Sequence, residues 1–382
     1  MAQRAPRADG NGNRVNARER RRYSRHLLIP EIGLAGQERL AASRVLVVGA
    51  GGLGSPALQY LAAAGVGRIG VVDDDVVDET NLQRQTIFGE ADVGKKKALV
   101  AARRLEALNS LVAIDAYPLR LDASNARELV RLYDVVLDCT DRFPTRYLIN
   151  DACFAERRAD VYGSIFRFDG QVSVFRAPAG PCYRCLYPEP PPVASRPTCS
   201  EGGVLGALAG IVGAWQANEA LKLLAGFGDT LTGRLMLIDA AGARVREVRF
   251  ERDPSCSLCS RPSAEVTIET ALYDDEAAVS HVAEMDADEL ERALRDAQLL
   301  DVREPHEAVL GSIDGAIQIP ASELESRMHE LDTATRYVVA CRVGAKSLWA
   351  VARLQDAGFA RLVHLRGGLL AYAARHEEFD FF

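Results

Sequence analysis

Three groups of residues have types and spacings able to do chemistry. Cys182/Cys185 and Cys256/Cys259 form two Cys-x-x-Cys pairs, with Pro181 and Pro254 beside them as turn formers. Four thiolates in two pairs have the ligand number and local spacing of a closed structural zinc site, which leaves no position for a reacting water. The alternative is a set of free or redox thiols. Gly49, Gly51 and Gly54 stand at Gly-x-Gly-x-x-Gly spacing. Bare backbone in such a turn approaches phosphates closely, and the following helix start offers unpaired N–H groups. Cys341 lies in Cys341-Arg342-Val343-Gly344-Ala345-Lys346-Ser347, between a strand pattern and a helix pattern. Backbone amides, the positive helix end, Arg342 and Lys346 would favour a thiolate there, and equally a persulfide anion. A phosphatase also cradles its cysteine, but closes the loop with an arginine that is missing here.

The surrounding pattern must position these residues. Ser43–Val48 reads as a strand running into the glycines, and Ser55–Ala64 as the helix after them, with Pro56 tolerated in its first turn. Arg68–Asp73 is a second strand ending in Asp73, about where an acid meets a ribose hydroxyl in dinucleotide-binding folds. Lys95–Leu108 has helical spacing, and Val112–Tyr117 and Val135–Asp138 read as strands. This alternation predicts an α/β fold with a parallel sheet covered on both faces. Cys139 and Cys153 fall in strand and helix patterns and read as core residues. Gly202–Gly226 is apolar but interrupted by Gln216, Asn218, Glu219 and Lys222, so it reads as a buried helix and not a membrane span.

Composition shifts near Arg261, and residues 262–280 are expected to be an acidic linker. Beyond it Asp286–Asp296 reads as a helix, Leu299–Val302 and Tyr337–Ala340 as strands, Ser347–Gly358 as a helix and Val363–Leu365 as a last strand. The expected division is therefore a disordered basic tail (1–22), a nucleotide-binding domain with the zinc site (23–261), the linker, and a small α/β domain (281–382). The tail holds seven arginines and little apolar pattern. The 382 residues carry a net charge of -7, which argues against a nucleic-acid binder. Eight cysteines without a secretory signal point to a reducing, cytoplasmic setting.

The glycine turn by itself does not separate a nicotinamide dinucleotide from ATP. Asn81-Leu82-Gln83-Arg84-Gln85 and Lys95-Lys96-Lys97 add polar groups and cations that hydride transfer does not require and phosphoryl transfer does. With Asp138-Cys139-Thr140-Asp141, Pro181-Cys182-Tyr183-Arg184-Cys185 and Thr198-Cys199, the run from Arg22 to Cys259 resembles the ubiquitin-activating-enzyme superfamily. It is most similar to the prokaryotic sulfur-carrier adenylyltransferases of the molybdopterin-synthase and thiamine pathways. The resemblance implies a Rossmann-like fold in which Asp73 holds the ribose, and Asn81, Arg84 and Lys97 contact the triphosphate. It further implies that Asp141 acts beside the reacting phosphate through Mg²⁺, and that Arg25 reaches across a homodimer into the partner's ATP site. A cysteine at the place of Cys199 can become linked to the activated carboxyl end of the substrate.

The C-terminal segment resembles a single-domain rhodanese sulfurtransferase. The match rests on Leu299-Leu300-Asp301-Val302-Arg303-Glu304-Pro305-His306-Glu307, Gly315-Ala316-Ile317-Gln318-Ile319-Pro320, the Cys341 loop and His364-Leu365-Arg366-Gly367-Gly368. Together the two likenesses imply ATP-dependent adenylation of the C-terminal glycine of a small ubiquitin-like sulfur carrier, the molybdopterin synthase small subunit or a similar protein. Sulfur, loaded on Cys341 by a cysteine desulfurase or another donor, would then form a thiocarboxylate. Two alternatives stay open: an NAD-linked oxidoreductase fused to a rhodanese, and a non-catalytic scaffold for a ubiquitin-like protein.

Overall fold

The computed structural model describes residues 16–191, 203–269, 273, 282–309 and 311–376. Two compact units emerge, meeting in sequence after Tyr273.

In the first unit α1 (Ala17–Arg22), α2 (Ser24–Leu27) and α3 (Gly33–Ala42) precede β1 (Arg44–Val48), α4 (Gly54–Ala64) and β2 (Arg68–Val72). Then come α5 (Lys97–Leu108), β3 (Ala113–Tyr117), α6 (Ala126–Arg131), β4 (Val135–Asp138), α7 (Phe143–Ala155) and β5 (Ala159–Phe166). β6 (Asp169–Phe175), α8 (Tyr183–Leu186), α9 (Gly206–Ala225), β7 (Arg234–Asp239) and β8 (Arg244–Arg249) complete it. The eight strands form one sheet in the order β3-β2-β1-β4-β5-β6-β7-β8. β1, the β-branched run ahead of the glycines, is central: Val48 pairs with Val72 on one side and Asp138 on the other. The chain order reverses there, so the ends of β1 and β4 open a crevice where ligands bind in such sheets.

The sheet corrects the expectation of a parallel layer throughout. β1 to β5 are parallel, but β5–β6, β6–β7 and β7–β8 are antiparallel. For β5–β6 the cause is local: Phe166 pairs with Asp169, leaving Arg167 and Phe168 as a two-residue hairpin loop with Arg167 at φ 52°. A parallel neighbour would have needed a crossover helix that this segment is too short to supply.

The tail expectation is also corrected at its end. Asn16 caps α1 by accepting from the amides of Arg18 and Glu19, while Glu19 accepts from the Asn16 amide. Arg18 and Arg22 then reach Ser110 Oγ and the Leu108 carbonyl at 2.8 and 2.6 Å. Composition hid a capping box that was present in the sequence. The described part of the expected linker likewise packs on the first unit. Val266 and Tyr273 are buried, and Tyr273 donates to Asp151 Oδ2 at 2.7 Å. The 3₁₀ turn Ser263–Glu265 precedes them.

The second unit is a five-stranded parallel sheet in the order β11-β10-β12-β13-β9, from β9 (Glu284–Met285), β10 (Gln298–Asp301), β11 (Ile317–Gln318), β12 (Tyr337–Ala340) and β13 (Leu362–Leu365). Its α-helices are α10 (Leu290–Ala293), α11 (Pro305–Ala308), α12 (Leu324–Arg327), α13 (Ala345–Asp356) and α14 (Gly368–Ala373). The helix expected over Asp286–Asp296 is shorter, a 3₁₀ turn at Ala287–Glu289 leading into α10. Among the described residues, no helix is long and apolar enough to cross a membrane.

Candidate functional site

The glycine turn is fixed by close backbone approach. Gly49 has φ +95°, and a Cβ there would sit 2.8 Å from the Cys139 carbonyl oxygen at the end of β4. A side chain at Gly54 would run into the Gly49 carbonyl. Above Gly51 the space is open: the nearest atom to an added Cβ is Gln85 Nε2, at 3.6 Å. No side chain caps α4; Ser55 donates its amide to the Gly51 carbonyl and Pro56 has none, so the amides left for a phosphate are those of the turn from Gly51 to Gly54.

Around this turn the residues singled out from sequence close into a ring. Asp73 Oδ2 accepts from the Ala50 amide at 2.8 Å, and Oδ1 from the Asp75 amide at 3.0 Å. Burial pushes the Asp73 carboxyl up, and Lys97 pulls it back. Lys97, itself buried, lies 3.0 Å from Asp75 Oδ2 and 3.3 Å from Asn81 Oδ1. Asn81 Oδ1 also accepts from Gln85 Nε2 at 2.7 Å. Arg84 bonds the Thr80 carbonyl, and its stem lies 3.5 Å from the place of a Cβ on Gly52. Asp75 and Gln85 were missed as partners. The acidic run after β2 and the Asn81–Gln85 spacing of four held their signal, since i,i+4 neighbours share a helical turn. Gln85 Oε1 is buried without a hydrogen-bond partner beside the open space. The donor set, the open cradle and this orphan acceptor fit a nucleotide.

At the neighbouring end of β4, Asp141 is exposed. Asp138 behind it is buried, with Oδ1 accepting from the Thr140 amide at 3.1 Å. Burial, with a contribution from Asp141, pushes its carboxyl up to about 7 against the pull of Arg146. Burial, then Asp138, also raises the carboxyl of Asp160 on β5. Gln216 of α9 staples these strands, donating to the carbonyls of Asp138 (2.6 Å) and Val161 (2.9 Å). Cys139 and Cys153 are buried core residues, as expected. Arg25 is exposed on α2, and among the described contacts none ties it to the ring. Cys199 lies outside the described residues.

The four paired cysteines converge. Cys182 Sγ lies 3.7 Å from Cys185 Sγ and 3.6 Å from Cys256 Sγ, and Cys185 Sγ lies 3.4 Å from Cys259 Sγ. A tetrahedron with ~2.3 Å zinc–sulfur bonds has edges of about 3.8 Å, so the spacing fits zinc and is far too long for disulfides, at about 2.05 Å. Phe154, Ala177, Leu258 and Val266 wrap the cluster in apolar surface. Burial, then the neighbouring sulfurs, pushes the Cys182 thiol well up, and burial raises the Cys259 thiol to about 11 against the pull of Arg252. At Cys256 burial is outweighed by the amides of Cys259 and Leu258, which lower the thiol; a cation would hold the set as thiolates. Between the first pair, Arg184 forks onto Asp151 (2.7 and 2.9 Å), the same carboxylate that holds Tyr273.

In the second unit Cys341 is buried where β12 meets the loop before α13. Its Sγ accepts from the Gly344 amide at 3.1 Å and lies 3.5 Å from Ser347 Oγ. Gly344 takes φ +102°, which turns that amide onto the sulfur. The expected positive charge of Lys346 is neutralised locally, because its ammonium sits 2.9 Å from the buried carboxylate of Glu307. Amides and a hydroxyl, more than Lys346, are what this loop offers an anionic sulfur.

Known proteins share both units. Residues 23–258 match the ThiF family and residues 286–375 the rhodanese-like domain. The chain is 46% identical over 361 residues to a probable adenylyltransferase/sulfurtransferase MoeZ of Mycobacterium tuberculosis, covering 92% of each chain. It is 42% identical to the adenylyltransferase and sulfurtransferase MOCS3 of Mus musculus, covering 93% of this chain and 85% of that one. A sulfur carrier protein adenylyltransferase of Thermus thermophilus is 53% identical over 243 residues, covering 62% of this chain and 90% of its own. The crystal structure of E. coli MccB with ATP shares the fold, with a TM-score of 0.55 and 22% identity over 62% of this chain and 74% of that one.

Proposed function

Because this chain belongs to the ThiF family and continues into a rhodanese-like domain, we propose that it adenylates the C-terminal glycine of a small ubiquitin-like sulfur carrier and then replaces the adenylate with sulfur. The observation that carries this reading is the pairing, in one chain, of a cation-ringed glycine cradle with a cysteine held by amide and hydroxyl donors. The names of the relatives above supply the carrier.

In this reading Gly49, Gly51 and Gly54 admit the phosphates. Asp73 holds the ribose, and Asn81, Arg84 and Lys97 bind the triphosphate. Asp141, exposed just past the end of β4, would hold Mg²⁺, which would add positive charge at the reacting phosphate. A carboxylate oxygen of the carrier attacks the α-phosphorus, the bond to the β-phosphate breaks, and pyrophosphate leaves. Neutralising charge as it shifts onto pyrophosphate is the task of Lys97 and Arg84. Arg25 would serve the ATP site of a second protomer in a homodimer. Zn²⁺ on Cys182, Cys185, Cys256 and Cys259 would be structural.

A sulfur donor such as a cysteine desulfurase loads Cys341 as a persulfide. Its outer sulfur attacks the acyl carbon, the acyl–oxygen bond breaks, and AMP leaves. A second thiol, for which Cys199 is the candidate, attacks the inner sulfur and frees the thiocarboxylate, leaving a disulfide for an external dithiol to reduce. Adenylation is needed because a free carboxylate is a poor electrophile. The test is mass analysis of a carrier incubated with enzyme, ATP and a persulfide donor. Wild type should exchange one carboxyl oxygen for sulfur, and Cys341→Ala should not; equal thiocarboxylate from both would remove the rhodanese unit from the route.

A further inference from the structure

One buried chain of contacts behind Cys341 has no part in that account, though its meaning rests on Cys341 being the sulfur-bearing nucleophile. Ser347 Oγ, in the first turn of α13, lies 3.5 Å from Cys341 Sγ, 2.9 Å from the Gly344 carbonyl and 3.1 Å from Nδ1 of His364 on β13. Cys341 and Ser347 are 0% exposed and His364 4%. A hydroxyl has one hydrogen to give and two lone pairs to receive with. If Nδ1 accepts, that hydrogen is spent on the imidazole. If Nδ1 carries a hydrogen and donates to Oγ, the hydroxyl hydrogen is left for Sγ or the Gly344 carbonyl, and an anionic sulfur outcompetes a neutral carbonyl.

We propose that His364 is a positioning residue: its Nδ1–H turns the Ser347 hydroxyl onto Cys341 Sγ and so stabilises the thiolate that attacks the sulfur donor. The imidazole does this uncharged. Burial pushes His364 toward its neutral form and Arg366, just past the end of β13, adds to that, while Glu284 of β9 pulls the other way. Lys346, in the same turn of α13 as Ser347, is paired with Glu307 of α11. In the loading step the Cys341 thiolate attacks the outer sulfur of the donor persulfide. A new sulfur–sulfur bond forms on Cys341, the donor's bond breaks, and the electron pair leaves on the donor thiolate. The charge passes from Sγ to the outer sulfur, so the Gly344 amide and Ser347 hydroxyl, both on Sγ, act on the thiolate before loading.

The experiment is the pH dependence of iodoacetamide alkylation at Cys341 in the full-length protein, followed peptide by peptide in a mass spectrometer. Ser347→Ala and His364→Leu should each raise the midpoint by about one pH unit, the scale of one hydrogen bond to a charged group. Since His364 acts through the hydroxyl, the double variant should shift no further than Ser347→Ala alone. His364→Asn, whose amide N–H replaces Nδ1–H, should keep the wild-type midpoint. Unmoved midpoints in Ser347→Ala and His364→Leu, or additive shifts in the double variant, or an Asn variant as impaired as Leu, would each overturn the proposal. If His364→Leu does not fold, Ser347→Ala and His364→Asn still decide it. Alkylation needs no ATP, carrier or donor, so a failure of the sulfur-transfer reading would show separately.

Discussion

Single residues carry the chemical argument, and Lys97, Asp141 and Asp138 each make a prediction. Lys97 is buried yet shares its ammonium between Asp75 and Asn81 beside the glycine turn, a place where a cation is costly unless an anion will use it. Lys97→Met should lower carrier-dependent ATP–pyrophosphate exchange on the order of 10²-fold, and Asp141→Ala should abolish it; undiminished exchange in both would move the phosphate site elsewhere. Asp138 tests the protein's electrostatics. Its folded carboxyl is raised to about 7 by burial, while an unfolded aspartate titrates near ~3.9. The native state therefore holds this proton more tightly, and charging Asp138 removes stability as pH rises from ~4 toward 7. Asp138→Asn should flatten that decline and melt higher than wild type at pH 8; identical melting profiles from pH 5 to 8 would show that Asp138 ionises without cost.

Elements explain which of these residues could be foreseen. The four cysteines tie α8 and its approach to the turns after β8, where Cys256 and Cys259 lie 74 residues on in sequence from Cys182 and Cys185. Removal of the metal, or Cys182→Ser, should lower the melting temperature by at least ~5 °C, a scale set by a few kcal/mol in a unit of this size. Protein with no bound zinc and unchanged melting would contradict a structural role. The glycine turn, Asp73 and the cysteine pairs were legible because strict local geometry demands those residue types. The turn from parallel to antiparallel at β6 was not, since the β5–β6 pairing follows from a two-residue loop at Arg167-Phe168 without the usual Asn-Gly signature. The pairing of Lys346 with Glu307 joins residues far apart in sequence and shows only when α11 and α13 are placed. α1 was lost to composition, though Asn16 and Glu19 spelled its cap.

For the molecule as a whole, two units with separate cores serve one sequence of bond changes. The first makes a carboxylate electrophilic and the second offers sulfur as the nucleophile. Burial of Val266 and Tyr273 on the first unit extends its hold past Cys259, with Tyr273 bonded to Asp151 of α7, the carboxylate that also pairs with Arg184. ATP is spent, in the proposed reaction, on a protein's C-terminus. The decisive measurement is exchange of labelled pyrophosphate into ATP by purified enzyme, with and without Gly-Gly-ended ubiquitin-like carriers. Exchange should appear only with a carrier, persist in Cys341→Ala, and disappear when the terminal glycine is removed. Exchange indifferent to every such carrier, or its absence together with tight binding of a nicotinamide dinucleotide, would contradict that reaction.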